Sequence, residues 1–323
     1  MDFPSLIAPI DERSFLDRYW GQEPVHIPAN AGRGQLPIGW DDLNGLLGQR
    51  PLWTAERFKL ILNSRPVESA HYMTSVAGKP EAGDPALIEQ FLAMGASLVL
   101  DHVEDVLPQV RTITDGLTAR FAGTVGANCY ASFKGVQAFA SHFDAHEVFA
   151  VQCDGEKLWR IYANRADNPL DAPAGDGAQA WIDASKGPVM LEVRMRPGDV
   201  LYIPRGFFHD AIAIDAVSLH LTFGIAPPSG RLLLQVIEEL ALNDSAFRAY
   251  LPDARERDGI PLRETLADLG QRLAMLATSP ATIDAVALRQ RKLLHAQHAL
   301  TLPARPALHF FARTRRTAQI EQG

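Results

Sequence analysis

Apolar residues in the first 125 positions recur at the spacing of short helices and short strands. Ser14 is a candidate N-cap for a helix that carries Phe15, Leu16 and Tyr19 and ends before Gly21. The other elements predicted here are an extended piece at Pro24–Pro28, helices at Asp41–Leu47, Pro85–Met94 and Asp105–Phe121, and strands at Phe58–Leu62 and Ser97–Leu100. We expect an α/β cover from this part of the chain.

The pattern changes after residue 125, where short runs of β-forming residues alternate with turn signals. Asp154-Gly155 between two apolar runs predicts a β-hairpin. The predicted strands are Glu147–Cys153, Lys157–Tyr162, Val189–Met195, Val200–Ile203 and Val217–Ile225. Several short strands separated by such turns predict a double-sheet jelly roll or a barrel.

Beyond Pro227 the apolar spacing becomes helical again. The predicted helices are Gly230–Leu242, Leu262–Leu276 and Ala281–Ala299. Their apolar faces fit either packing onto the β-rich part or contact with a second subunit. Residues 300–323 carry the basic stretch Arg305–Arg316 and are expected to form a short tail.

Composition and charge narrow the class of protein. The chain is 47% hydrophobic and 21% charged, which excludes a disordered or fibrous chain. No apolar run reaches the roughly 20 residues that span a bilayer, and the first residues lack the basic and apolar pattern of a secretory signal. Cys129 and Cys153 alone provide no disulfide framework. A net charge of -7 argues against non-specific nucleic-acid binding.

The most informative short motif is Ser141–Asp144, in which His142 precedes Asp144 by two positions. Residues two apart in a strand point to the same side, so both side chains are expected to enter one space. An imidazole and a carboxylate there supply two ligands of a metal site. A lone His-x-Asp also occurs as a surface pair or a hydrogen-bonded pair, so a metal site needs a third ligand.

His209 offers that third ligand at the end of the run Arg196–His209. In this run a Pro-Gly-Asp turn leads into a buried strand, and the chain bends again before the histidine. Two histidines and one carboxylate, with other coordination positions open, form the facial triad of non-haem Fe(II) oxygenases. We therefore predict that His142, Asp144 and His209 bind a metal ion.

Lys157 opens the strand that we expect after the Asp154-Gly155 turn. A dicarboxylate that chelates iron through a 2-oxo acid group needs a cation at its far carboxylate, and a buried lysine supplies that charge. The alternative interpretation is an exposed hairpin lysine, which would prevail without the neighbouring metal motif.

Two longer segments together resemble one known family. His142–Tyr162 resembles the core of the JmjC cupin-like ribosomal oxygenases, and Arg196–His209 resembles their second cupin motif. Phe15–Pro24 is similar to the motif with which that family begins. The resemblance covers most of residues 10–226, and the helices after Pro227 suit the family's dimerisation region.

This resemblance implies a hydroxylase built on a double-stranded β-helix, the jelly-roll or cupin core. The enzyme would depend on Fe(II) and 2-oxoglutarate, with O₂ as the second cosubstrate. His142, Asp144 and His209 match the family's metal positions, and Lys157 matches the basic residue that binds the C5 carboxylate of 2-oxoglutarate. Further matches to the cosubstrate pocket are Asn128, Tyr130 and His220. Ordinary strand polarity for the first two, and a hydrogen-bonded core histidine for the third, are the alternative interpretations.

The resemblance also implies a domain organisation. We expect a JmjC/cupin-like catalytic domain at 1–226 with its jelly-roll core at 126–226, a helical dimerisation domain at 227–299, and a tail or winged-helix remnant at 300–323. Ribosomal members carry a complete winged-helix domain, and the expected tail has too few residues to form one. Their ribosomal substrates are therefore not carried over to this chain.

Three functions stay open from the sequence. The favoured one is a dioxygenase that hydroxylates an amino-acid side chain in a protein or peptide. The same chemistry on a free amino acid or other small molecule is the second, and a non-catalytic metal-binding cupin is the third. Lys157 argues against the third, because a structural metal site needs no cation for a carboxylate. We expect a cytoplasmic homodimer that binds neither membranes nor nucleic acid.

Overall fold

The computed structural model describes residues 1–30, 34–49, 53–75 and 82–293. The predicted tail at 300–323, its basic stretch Arg305–Arg316 and the last residues of the helix predicted to reach Ala299 lie outside the described residues. Within the described ranges, no helix has the length and apolar character needed to cross a membrane.

The elements follow the expected order of cover, β-rich core and C-terminal helices. The strands are β1 Val25–Ile27, β2 Phe58–Leu62, β3 Arg65–Pro66, β4 Met73–Thr74, β5 Ala82–Gly83, β6 Ser97–Leu100, β7 Thr124–Phe133, β8 Glu147–Arg165, β9 Val189–Met195, β10 Val200–Ile203 and β11 Phe207–Ala226. The helices are α1 Phe3–Ile7, α2 Glu12–Arg18, α3 Trp40–Leu47, α4 Pro85–Ala93, α5 Pro108–Phe121, α6 Ala178–Ser185, α7 Arg231–Ala241, α8 Ser245–Arg248, α9 Ile260–Ala277 and α10 Pro280–Leu293.

Nine of these strands form an antiparallel sheet in the order β1-β10-β8-β11-β7-β6-β2-β3, with β9 paired to β8 as a branch. β4 and β5 form a separate two-stranded sheet. β8 and β11 are long strands, and each contributes to both layers of the sheet. The first half of β8 pairs with β10 and its second half with β9, while β11 follows it throughout and also pairs with β7. The predicted mainly-β core with an α/β cover and C-terminal helices is confirmed.

Alternate residues of β7 face opposite sides, as the period of a strand requires. Val125, Ala127, Cys129 and Ala131 belong to the main core, which also contains residues of α1 and α2 such as Phe15. The N-terminal helices therefore cover one face of the larger sheet. The residues between those four face the other way, into the cavity described below.

The hairpin predicted at Asp154-Gly155 is wrong. β8 continues through these residues from Glu147 to Arg165, and Gly155 pairs with Ser218 on β11. Gly155 has φ +58°, and a Cβ there would lie 1.8 Å from the carbonyl oxygen of Val217. The glycine permits a bend at which β8 passes from one layer to the other, so the local turn signal marks a crossing between layers.

Two helix starts also differ from the prediction. The N-cap of α2 is Asp11, whose carboxylate accepts the backbone N–H of Ser14, so Ser14 lies inside the helix. α5 begins at Pro108, because the residue before a proline is kept out of helical geometry and Leu107 is extended.

Candidate metal centre

A cavity of about 500 Å³ opens on the face formed by β7, β8 and β11. Side chains two residues apart along these strands enter it, as expected from the period of a strand. The seven side chains singled out from the sequence all line it, namely Asn128, Tyr130, His142, Asp144, Lys157, His209 and His220.

His142, Asp144 and His209 form a compact group at the wall of the cavity. One ligand atom from each lies within 4.8 Å of the others. Nε2 of His209 is 3.5 Å from Oδ2 of Asp144, and the two imidazole centroids are 4.4 Å apart. Two imidazole nitrogens and a carboxylate oxygen at this spacing fit a divalent transition metal.

The segment with the first two of these residues is not a strand, contrary to the expectation from sequence. His142 forms an isolated antiparallel bridge with His209, in which each backbone N–H donates to the other residue's carbonyl, at 3.0 and 2.7 Å. The backbone N–H of Gly206 also donates to the carbonyl of Asp144 at 2.9 Å. Backbone pairing with β11 therefore brings the separate segments together.

Each imidazole is oriented by a hydrogen bond behind it. Nδ1 of His142 lies 2.9 Å from the carbonyl oxygen of Ala140, and Nδ1 of His209 lies 2.9 Å from that of Phe207. A carbonyl oxygen only accepts, so Nδ1 carries the hydrogen in both rings. Nε2 of each ring is left as the lone-pair donor that a metal requires.

The charges of the group favour its metal-binding form. Burial acts to raise the pKa of Asp144, but the adjacent His209 and His142 outweigh it and hold that pKa below its ordinary value. Burial, followed by the neighbouring His142, lowers the pKa of His209. At neutral pH the carboxylate is therefore ionised and the His209 imidazole neutral, as metal coordination demands.

Lys157 lies deep in the same cavity, with 2% of its surface exposed. Burial lowers its pKa to about 7. Within the described ranges, no carboxylate forms an ion pair with it. Trp159 Nε1 and His220 Nδ1 are also buried without a hydrogen-bond partner among the described residues. A cation and two such polar atoms in one cavity fit a small dicarboxylate.

The remaining predicted pocket residues lie on adjacent strands. Tyr130 on β7 is directly opposite His220 on β11, and their rings stack with centroids 4.8 Å apart and planes 12° apart. Burial raises the pKa of the Tyr130 hydroxyl, and Asn128 lines the same cavity two residues earlier on β7. These side chains form the wall of the cavity near Lys157.

Sequence reasoning missed several residues that line the cavity, namely Asp101, His102, Phe139, His146 and Trp159. Trp159 could have been found, because it follows Lys157 by two positions on β8 and so shares its face. Asp101 and His102 come directly after β6, which enters the sheet through the cover. No local pattern in the sequence connects them to the metal residues.

Comparison with known proteins agrees with this geometry. Residues 103–233 match a family model described as the JmjC domain. The chain is 32% identical to Ribosomal oxygenase 1 of Gallus gallus over 222 residues, which cover 68% of this chain and 36% of that protein. It is also 32% identical to the Bifunctional lysine-specific demethylase and histidyl-hydroxylase NO66 of Drosophila persimilis over 263 residues, which cover 80% of this chain and 36% of that protein.

The fold is similar to that of YcfD, a ribosomal oxygenase from Escherichia coli, with a TM-score of 0.59 and 19% identity over 92% of this chain and 75% of that chain. Another YcfD structure is of the complex with cobalt and 2-oxoglutarate. The chain spans 36% to 46% of the length of the first three curated relatives that it matches. The matched domain and the relatives together show that the chain belongs to the JmjC/cupin-like family that includes the ribosomal oxygenases.

Proposed function

We propose that the protein is an Fe(II)- and 2-oxoglutarate-dependent oxygenase that hydroxylates an amino-acid side chain in a protein or peptide. The observation that carries this proposal is a His-Asp-His group sharing one cavity with a buried lysine. Among the described residues, that lysine has no carboxylate partner. A metal-chelating dicarboxylate satisfies both features at once.

The residues divide the work between metal and cosubstrate. His142, Asp144 and His209 would hold Fe(II), which when bound supplies the redox chemistry that couples conversion of 2-oxoglutarate and O₂ into succinate and CO₂ to insertion of one oxygen atom into the substrate. Lys157 would bind the far carboxylate as an ammonium. Trp159 would donate its indole N–H to the cosubstrate, since that group has no other acceptor among the described residues.

The relatives support a protein side chain as the substrate. Their names, ribosomal oxygenase and histidyl-hydroxylase, describe action on proteins. The YcfD complex with cobalt and 2-oxoglutarate supports the choice of metal and cosubstrate for a protein of this fold. Hydroxylation of a free amino acid or another small molecule stays the second candidate, because the same metal centre serves both.

We further propose that residues 1–226 act as the catalytic domain, that 227–299 forms a homodimer contact, and that the protein works in the cytoplasm. α7, α9 and α10 pack on one another and leave apolar side chains exposed, which supports a second copy as their partner.

A net charge of -7 supports the expectation that nucleic acid is not bound directly.

The test of the proposed activity is succinate formation with Fe(II), 2-oxoglutarate and candidate peptides. We expect turnover by the wild type and none by Asp144→Ala, which loses a ligand of the metal. Asp215→Ala is the matched control, because Asp215 is an exposed aspartate on β11. Absence of succinate together with absence of 2-oxoglutarate binding in calorimetry would contradict the oxygenase and favour a non-catalytic metal-binding cupin.

The substrate class needs a separate experiment. Cell extract incubated with wild-type enzyme is compared by mass spectrometry with extract incubated with Asp144→Ala. We expect a peptide that gains one oxygen atom only with the wild type. A gain confined to small molecules would favour the second candidate.

A further inference from the structure

The metal-binding segment is attached to β11 by little backbone pairing. His142 and His209 form a single bridge, and Gly206 adds one backbone hydrogen bond to Asp144. The residues that follow His142 up to the start of β8 are irregular. Because ligand spacing must be held closely for metal binding, side chains have to supply the remaining constraint. The neighbours of the two histidines, Ser141 and Asp210, are buried on the side that does not line the cavity.

Ser141 and Asp210 connect the two segments directly. The Ser141 hydroxyl donates to Oδ2 of Asp210 at 2.8 Å, across 69 positions of sequence. The Tyr162 hydroxyl, on β8, donates to the same oxygen at 2.5 Å. Lys186, which follows α6, donates from Nζ to the Ser141 hydroxyl at 2.9 Å. One carboxylate oxygen therefore joins the metal-binding segment, β11 and β8.

Asp210 is buried, with 4% of its surface exposed, and it does not line the cavity. Nε of Arg160 lies 3.4 Å from its Oδ1, close enough for an ion pair but without a hydrogen bond. A buried carboxylate is costly to desolvate and adds little net stability even when paired. Its contribution is therefore geometric, through the two short hydroxyl contacts.

α6 covers this connection from outside. Gln179 donates its side-chain N–H to the carbonyl of Ser141 at 3.1 Å. Ile182 packs in one buried cluster with Phe143 and Phe208, whose rings meet edge to face with centroids 5.3 Å apart. Phe143 lies between two metal residues in sequence and Phe208 precedes the third, so the same helix supports both segments.

We propose that Asp210 is a positioning residue that sets the distance between His209 and the pair His142 and Asp144. By accepting from the hydroxyls of Ser141 and Tyr162, it holds the irregular segment against β11 in the register that the metal needs. This inference rests on the metal-binding part of the proposed function and does not depend on the identity of the substrate.

The test uses Co(II) alone added to the metal-free full chain, with affinity from titration and ligand geometry from the visible absorption spectrum. We expect Asp210→Ala to bind Co(II) about 10-fold or more weakly, in line with losses of outer contacts at other metal sites, and to change the spectrum. Asp210→Asn keeps an oxygen acceptor for the hydroxyls and is expected to restore most of the affinity. Asp215→Ala, an exposed aspartate on the same strand, is expected to match the wild type.

Wild-type affinity and an unchanged spectrum in a folded Asp210→Ala would overturn the inference while leaving the metal site intact. If that variant does not fold, the double variant Ser141→Ala with Tyr162→Phe removes both donors and keeps the carboxylate. It is expected to show the same loss, and wild-type binding by it would likewise overturn the inference. Failure of the wild type to bind Co(II) would overturn the metal site itself, and this inference with it.

Discussion

Lys157 is a single residue at which fold stability and proposed function oppose each other. Burial lowers its pKa from 10.5 to about 7. An unfolded lysine keeps its proton up to the ordinary pKa, so between these two pH values the unfolded chain binds more protons than the folded chain. The free energy of unfolding therefore rises with pH across this window, and below it the full cost of burying the ammonium applies.

We predict that Lys157→Met stabilises the metal-free protein and weakens 2-oxoglutarate binding. Each pKa unit corresponds to about 1.4 kcal/mol, so the gain at pH 7 is expected to reach several kcal/mol and to shrink as pH rises towards 10.5. Urea unfolding at several pH values measures the gain, and calorimetry measures the binding. Lys134→Met, at an exposed lysine outside the cavity, is the control.

A stability gain that is independent of pH would show that the ammonium keeps its ordinary pKa in the folded state, because it is solvated or paired there. Unchanged binding of 2-oxoglutarate would show that another group binds its far carboxylate. The two readouts are independent, so the stability argument and the cosubstrate assignment are tested separately.

At the scale of elements, the crossing of β8 between the two layers depends on Gly155. A Cβ at this position would meet the carbonyl oxygen of Val217 at 1.8 Å, and the backbone has φ +58°. Both the close approach and the left-handed conformation exclude an ordinary side chain. Because Lys157 follows two residues later, the crossing also fixes which side chains of β8 enter the cavity.

We predict that Gly155→Ala destabilises the protein by about 2 kcal/mol or more, because strain and steric overlap add. Gly116→Ala is the matched control. Gly116 lies within α5, where a Cβ would meet no atom of another segment within 4 Å, so this variant is expected to gain up to about 1 kcal/mol. Urea unfolding compares the two variants. Equal effects would show that β8 bends without help from the glycine.

Elements whose signals are local agree closely with the sequence prediction. β2 and β6 have the predicted bounds, Phe58–Leu62 and Ser97–Leu100, because apolar runs between polar residues define buried strands. The predicted hairpin failed for a different reason. Asp-Gly permits both a turn and a bend, and pairing of β8 with β9, β10 and β11 selects the bend.

At the scale of the whole molecule, the C-terminal helices expose more apolar surface than a solvated helical region needs. Leu234 on α7 and Met275 on α9 are each 67% exposed, and no residue of α9 is fully buried. Single exposed apolar side chains are common, but several on adjacent helices are typical of an interface. This surface supports the proposed homodimer.

We predict that light scattering on the wild-type protein will give a mass twice the 35.4 kDa of one chain. Leu234→Asp combined with Met275→Asp is expected to reduce it to that of one chain, because charge in a buried apolar contact is costly. Leu170→Asp, at a leucine that is 62% exposed and far from these helices in sequence, is the control and is expected to stay dimeric. A wild-type mass of one chain would contradict the dimer.

The sequence by itself determined the features that depend on local spacing. Residue type and spacing identified His142 and Asp144 as two metal ligands, His209 as the third and Lys157 as their cationic companion. The two-residue period of β7 places Asn128 and Tyr130 on one face. Only the tertiary structure decided that β8 crosses between layers, that Lys157 is buried, and that Asp210 meets Ser141 and Tyr162. The physical reason is that side-chain direction follows from neighbouring residues, whereas register and burial follow from pairing between segments far apart in the chain.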